Sequence, residues 1–161
     1  MEKEKKNFAG GEIQGKTLGV VGLGAIGSMI GNLALELGMN VVGYDPAISV
    51  EAAWHLSSSV ERMENLEALL ACSDFITLHV PAIPATKHLI NSKTLAGMRS
   101  TAKILNFARE EIVSSADMVA ALDAGVIAGY ITDFPAPELL GRKDVLLMPH
   151  IGASTEEAEE N

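Results

Sequence analysis

Thr17-Leu18-Gly19-Val20-Val21-Gly22-Leu23-Gly24-Ala25-Ile26-Gly27, followed one helix later by Val41-Val42-Gly43-Tyr44-Asp45, is the stretch that decides the fold. It reads as an apolar strand, a Gly-x-Gly-x-x-Gly turn, a helix, a second apolar strand and a terminal acid. The three glycines alone are weak evidence. In this order they predict a dinucleotide site. Gly22 permits the tight turn, Gly24 lets the backbone approach a pyrophosphate, and Gly27 lets the helix pack close to the strand. The diphosphate then lies at the helix N-terminus, beside Ala25 and Ile26, where free N–H groups and the helix dipole favour an anion. Asp45 is placed to accept hydrogen bonds from the adenosine ribose. Its carboxylate repels a 2′-phosphate, so the expected cofactor is NAD rather than NADP.

Working outward, the rest of the chain alternates strand and helix patterns. Strands are expected at Thr17–Gly22, Asn40–Tyr44, Phe75–His79, Ala102–Phe107, Ile127–Asp133 and Val145–Met148, with a weak one near Ser59–Met63. Helices are expected at Ala25–Leu37, Val50–Leu56, Asn65–Ala71, Ser92–Gly97, Ala116–Ala124 and Thr155–Asn161. The helix after the fingerprint carries Ile26, Met29, Ile30, Leu33 and Leu37 at amphipathic spacing and is ended by Gly38. Such alternation predicts an α/β fold: a Rossmann-type doubly wound parallel sheet with helices on both faces. Residues 1–14 read as a polar, Lys- and Glu-rich lead-in, and residues 15–161 as one nucleotide-binding domain. Ser154-Thr155-Glu156-Glu157 is a capping-box pattern opening a helix that ends within about two turns. With so little chain before the first strand, the expectation is an excised domain or a fragment of a larger enzyme.

Composition narrows the function. A length of 161 residues suffices for one domain with a real core. Apolar residues make up 48% and aromatics only 4%, so aliphatic side chains fill the interior, as in buried parallel strands. The formal net charge of −9 argues against nucleic acid and anionic membranes as partners. It leaves room for an anionic small molecule at a locally positive site. Cys72 is the single cysteine, so no intramolecular disulfide forms, which fits a reducing compartment. No signal peptide and no run of ~20 apolar residues is evident, making the cytoplasm the expected location. The four histidines lack ligand spacing and there is no cysteine pair, so no metal site is expected.

Four polar residues fall at or just after strand ends: Arg109, Asp133, Glu138 and His150. In a doubly wound sheet, ligands bind outside the carboxyl ends of the strands, the edge that also carries the fingerprint turn. Arg109 offers a planar fork that suits a carboxylate, although a surface salt bridge would use it equally well. His150 can pass a proton near neutral pH. Glu138 could hold the imidazole tautomer, although an acid in a Pro-rich loop is more often simply solvated. His55 and His88 read as structural.

Several segments together resemble the nucleotide-binding domain of D-isomer-specific 2-hydroxyacid dehydrogenases, across the whole chain. They are Gly15-Lys16-Thr17-Leu18-Gly19 into the fingerprint, Thr77-Leu78-His79-Val80-Pro81, Pro84-Ala85-Thr86-Lys87, Asn106-Phe107-Ala108-Arg109, Tyr130 to Pro135, and Pro149 to Thr155. The resemblance implies roles. Arg109 matches the arginine that pairs with the substrate carboxylate, His150 the acid–base group, and Glu138 its partner carboxylate. Asp133 matches the residue that contacts the nicotinamide carboxamide. His79, Val80, Pro81, Thr86, Phe107, Ala108, His150 and Gly152 match segments lining the cofactor. Thr132-Asp133-Phe134-Pro135 and Ser49 to Trp54 resemble a bacterial branch acting on 3-phosphoglycerate and 3-phosphohydroxypyruvate. Another 2-hydroxy acid (lactate, glycerate or glyoxylate) is the nearest alternative, and a dinucleotide-sensing interaction module of the corepressor type is one from a different class. The resemblance also implies a homodimer formed largely through this domain, and a substrate domain built from segments that this sequence does not contain. Two positions depart from the family pattern. Glu110 stands where a glycine usually follows the arginine, and Ala25 stands where a polar residue is frequent.

Overall fold

The computed structural model describes residues 10–152 and 154–159. Strand β1 (Thr17–Val21) is followed by α1 (Ala25–Glu36), β2 (Asn40–Tyr44), α2 (Val50–His55), β3 (Glu61–Arg62), α3 (Leu66–Cys72) and β4 (Phe75–Leu78). The second half comprises α4 (Ser92–Ala96), β5 (Lys103–Asn106), α5 (Ser115–Asp123), β6 (Gly129–Thr132), β7 (Val145–Leu147) and α6 (Glu156–Glu159), with 3-10 turns at Glu110–Ile112 and Pro137–Leu139. The strands form one sheet in the order β3-β2-β1-β4-β5-β6-β7, every pair parallel. The chain winds outward from β1 to β3, then returns to β4 on the other side of β1. That reversal opens a crevice at the carboxyl ends of β1 and β4. This is the doubly wound α/β fold expected from the alternating pattern. Most of the 1–14 lead-in and the end of the last expected helix lie outside the described residues.

Strand alternation splits the core. Val21, Ile76, Leu78 and Ile104 join Leu69, Leu70, Leu95 and Met118 in the larger cluster. Leu18, Val20 and Val41 join Leu23, Ala34 and Met39 in the smaller one, against α1. Most helices are stopped at their start by a side chain. Ser49, Asn65, Asn91 and Ser114 each accept a backbone N–H at the opening of α2, α3, α4 and α5. Helix α1 differs: it opens on Gly24, and among the described residues no side chain caps its first N–H groups.

Helix α1 also corrects the amphipathic reading. Ile26, Met29, Leu33 and Leu37 are exposed by 65%, 60%, 47% and 61%. The buried face is Gly27, Ser28, Gly31 and Ala34. The cause is proximity to the sheet. A Cβ on Gly27 would lie 1.9 Å from the carbonyl oxygen of Gly22, so only a bare backbone fits there. Ser28 follows suit by donating its hydroxyl to the Leu23 carbonyl at 2.8 Å. Periodicity thus reported a helix correctly, but of the stripe only Ile30 packs against the smaller cluster, and the other four large residues are left exposed.

Candidate active site

Six neighbouring strands deliver polar or glycine residues to one edge. In spatial order they are Asp45 after β2, Gly22 after β1, His79 after β4, Arg109 beyond β5, Asp133 after β6 and His150 beyond β7. The fingerprint turn is built as its glycines require. Gly22 has φ +92°, and a Cβ there would lie 2.6 Å from the His79 carbonyl oxygen. Around Gly24, by contrast, none of the described residues lies within 4 Å of where a side chain would begin. An uncapped helix start with open space before it is a cradle for an anion.

Asp45 is fixed by two backbone bonds. One carboxylate oxygen accepts from the Leu23 N–H and the other from the Ala47 N–H, each at 2.8 Å. Both oxygens retain a lone pair for a hydroxyl donor. The acid is therefore held facing the fingerprint before any ligand arrives.

Ile26, His79, Val80, Pro81, Phe107, Ala108 and Arg109 line one open cleft of about 380 Å³. The structure thus brings together the ends of β4 and β5 and the start of α1. Thr86 is not part of this lining. Its hydroxyl donates to the Pro81 carbonyl and accepts from the Ile83 N–H, so it shapes the loop that carries Pro81. Gly152 is exposed beyond His150 and does not line the cleft either. His79 is half-buried, and burial pushes its pKa below the usual imidazole value. Thr77 Oγ1 lies 2.9 Å from its Nε2.

Arg109 is exposed. Its Nη1 donates to the Ala108 carbonyl at 2.6 Å, and no carboxylate pairs with it among the described residues. A fully buried residue to which no role was assigned, Asn106, sets its backbone. The Asn106 amide donates to the Arg109 carbonyl at 2.9 Å, and its oxygen accepts from the Ala108 N–H at 3.2 Å. Thr132, also buried, donates to the Asn106 carbonyl at 2.9 Å and ties β6 to β5. The only sequence signal was polarity at the ends of two apolar strands. The Tyr130 phenol adjoins this network, and its pKa is raised chiefly by burial, with Glu110 and Asp133 adding to it.

His150 is where the structure departs from expectation. Its Nδ1 lies 2.7 Å from Asp133 Oδ2, and the Phe134 ring sits 5.1 Å away, tilted by 31°. Glu138, expected as the partner carboxylate, is exposed and makes no ion pair or side-chain hydrogen bond among the described residues. The 3-10 turn explains this. Leu139 is buried, anchoring the turn to the core, and Glu138 beside it is left on the outside. The other Asp133 oxygen, Oδ1, is buried without a hydrogen-bond partner among the described residues. A buried acceptor left unmatched is costly, and it fits an N–H donor from a ligand such as the nicotinamide carboxamide.

These features define a dinucleotide-binding α/β domain whose free polar groups gather at the carboxyl edge of the sheet. Residues 1–152 match the family described as D-isomer specific 2-hydroxyacid dehydrogenase, NAD binding domain, and the chain belongs to that family. A D-3-phosphoglycerate dehydrogenase from Synechocystis sp. is 44% identical over 98% of this chain and 29% of its own length. The chain therefore spans under a third of that relative. Among solved structures, D-mandelate dehydrogenase of Rhodotorula graminis superposes with a TM-score of 0.86 at 32% identity, covering 99% of this chain and 48% of the other. The D-isomer specific 2-hydroxyacid dehydrogenase of Lactobacillus delbrueckii ssp. bulgaricus, in complex with NAD, gives 0.84 at 28% identity, covering 97% and 52%.

Proposed function

We propose that this chain is the NAD-binding part of a D-3-phosphoglycerate dehydrogenase, which oxidises 3-phosphoglycerate to 3-phosphohydroxypyruvate at the entry to serine synthesis. The observation that carries it is an Arg109 without a carboxylate partner among the described residues, on the same sheet edge as an imidazole held through Nδ1, beside the fingerprint turn. When bound, NAD supplies the hydride acceptor at nicotinamide C4. The chain's residues do the rest. The Arg109 fork pairs with the substrate carboxylate and stabilises charge as electrons leave C2. Nε2 of His150 takes the C2 hydroxyl proton. Asp45 holds the adenosine ribose, and the N-terminus of α1 holds the diphosphate. Asp133 Oδ1 accepts from the nicotinamide carboxamide. A substrate domain elsewhere in the parent protein closes over this edge and excludes water.

The exposed stripe of α1, with Val50 and Trp54 of α2 exposed by 76% and 83%, supports a homodimer formed through this domain. The single cysteine fits a reducing cytoplasm, and among the described residues no helix is long and apolar enough to cross a membrane. A second reading, a dehydrogenase for another 2-hydroxy acid, is favoured by the likeness to D-mandelate dehydrogenase. Turnover by the intact parent, followed by NADH absorbance, separates the two. Faster turnover of 3-phosphoglycerate than of D-lactate, D-glycerate or D-mandelate is expected, and the reverse order would place the protein in another branch.

A further inference from the structure

We propose that Asp133, in place of Glu138, is the positioning carboxylate for His150, fixing the ring with its proton on Nδ1 and leaving Nε2 to face the reacting edge. This deepens the reading of His150 as the acid–base group, but the pairing is testable without turnover.

Asp133 is built to hold still. It directly follows β6, where the Thr132 hydroxyl donates to the Asn106 carbonyl and accepts from the Phe134 N–H at 3.2 Å. The backbone on both sides of Asp133 is thereby tied to a buried side chain. Its own side chain is only 12% exposed, against 59% for His150. A carboxylate can only accept, so at 2.7 Å the proton must be on Nδ1. Nε2 then carries the lone pair that a base needs, and it makes no hydrogen bond among the described residues. The Phe134 ring limits rotation of the imidazole. Other charged groups near this edge are Arg109 and Glu110 beyond β5 and Glu138 on the turn after β6. Neither glutamate makes an ion pair with His150 among the described residues, and the Arg109 guanidinium donates to the Ala108 carbonyl. Because Oδ1 is buried and unmatched, one carboxylate serves both the imidazole and a ligand N–H, and a short aspartate at the strand end does what a longer acid in the loop was expected to do.

The test is the 15N NMR spectrum of the His150 ring in this chain, assigned by its loss in His150→Gln, at an alkaline pH where the ring is neutral. Free imidazole side chains favour Nε2–H. The expected wild-type result is the opposite tautomer, Nδ1–H. Asp133→Ala should lose it, Asp133→Asn should retain much of it through its amide oxygen, and Glu138→Gln should leave it unchanged. A wild-type ring that is predominantly Nε2–H overturns the proposal, as does loss of Nδ1–H in Glu138→Gln but not in Asp133→Ala. The wild-type spectrum needs no substitution, so poor folding of a variant does not protect the idea. An Nδ1–H ring in a chain that does not bind NAD would support the pairing while sinking the dehydrogenase reading.

Discussion

The two edges of the sheet are made of the same residue types and use them in opposite ways. At the amino edge, Asp74 accepts from the Thr17 N–H and from Arg99, each at 2.9 Å. Arg142, just before β7, reaches both Asp123 and Asp144. These charges are satisfied inside the domain. At the carboxyl edge, among the described residues, Arg109 meets only its neighbour's carbonyl, Asp133 keeps a buried oxygen unmatched, and α1 opens without a side-chain cap. Unsatisfied groups cost stability, and a fold retains them where a ligand completes them. The contrast singles out the carboxyl edge without reference to any relative.

Substitutions of the exposed polar groups at the carboxyl edge should therefore damage chemistry, and those at the amino edge should damage only stability. The largest effect is expected in the intact parent. His150→Ala should lower the turnover rate by about 10²–10⁴ through loss of acid–base catalysis. Arg109→Lys should also impair turnover strongly, since an ammonium cannot reproduce the fork. Neither should move the thermal midpoint much, because both side chains are largely exposed. A large fall in that midpoint would erase the distinction between the edges.

Next come the glycines, which sharpen the contrast within a single turn. Gly27→Ala forces a Cβ toward the Gly22 carbonyl and should cost about 1–3 kcal/mol of stability, read by denaturant unfolding. Gly24→Val has open space around it. It should leave the fold intact and weaken NAD binding in calorimetry by blocking the approach of the diphosphate.

At the amino edge, Asp74→Asn should cost about 1 kcal/mol and leave NAD affinity unchanged. The Thr17 N–H, with Arg99, holds the Asp74 carboxyl below its usual range. Its contribution is thus fully present above the unfolded carboxyl value and is lost as the pH falls through the lower folded value. Wild type and Asp74→Asn should converge in stability only in strong acid. His79 acts on a different window. Burial lowers its folded value, so stability declines as the pH falls below the free imidazole value of about 6.5. The smallest effect is expected for Arg142→Ala, whose acids are partly exposed. Its thermal midpoint should shift slightly, and less at high salt.

The backbone of this contrast was legible in the sequence. Glycine spacing fixes where the chain must pass close to itself, and Asp45 closes β2 facing that turn; both act through the backbone or a strand end. Side-chain pairing was less legible. The large residues of α1 show helical period but not which face packs, because Gly27 and Gly31 leave no apolar signal of burial. Glu138 and Asp133 are both acids near the end of β6, and only the turn anchored by Leu139 decides which one meets His150. Asn106 reads as one polar residue closing an apolar strand. Its task, holding the loop of Arg109, is set by contacts with a neighbouring strand.

The most direct test of the carboxyl edge as an NAD site is calorimetry on this chain with NAD and with NADP, alongside Asp74→Asn and Asp45→Ala. One NAD per chain is expected, with NADP distinctly weaker. Asp74→Asn should bind like the wild type, and Asp45→Ala should lose about 1–3 kcal/mol of NAD affinity as ribose hydroxyls go unpaired. A folded chain that binds NADP as tightly as NAD, or that binds neither, would contradict the assignment of this edge.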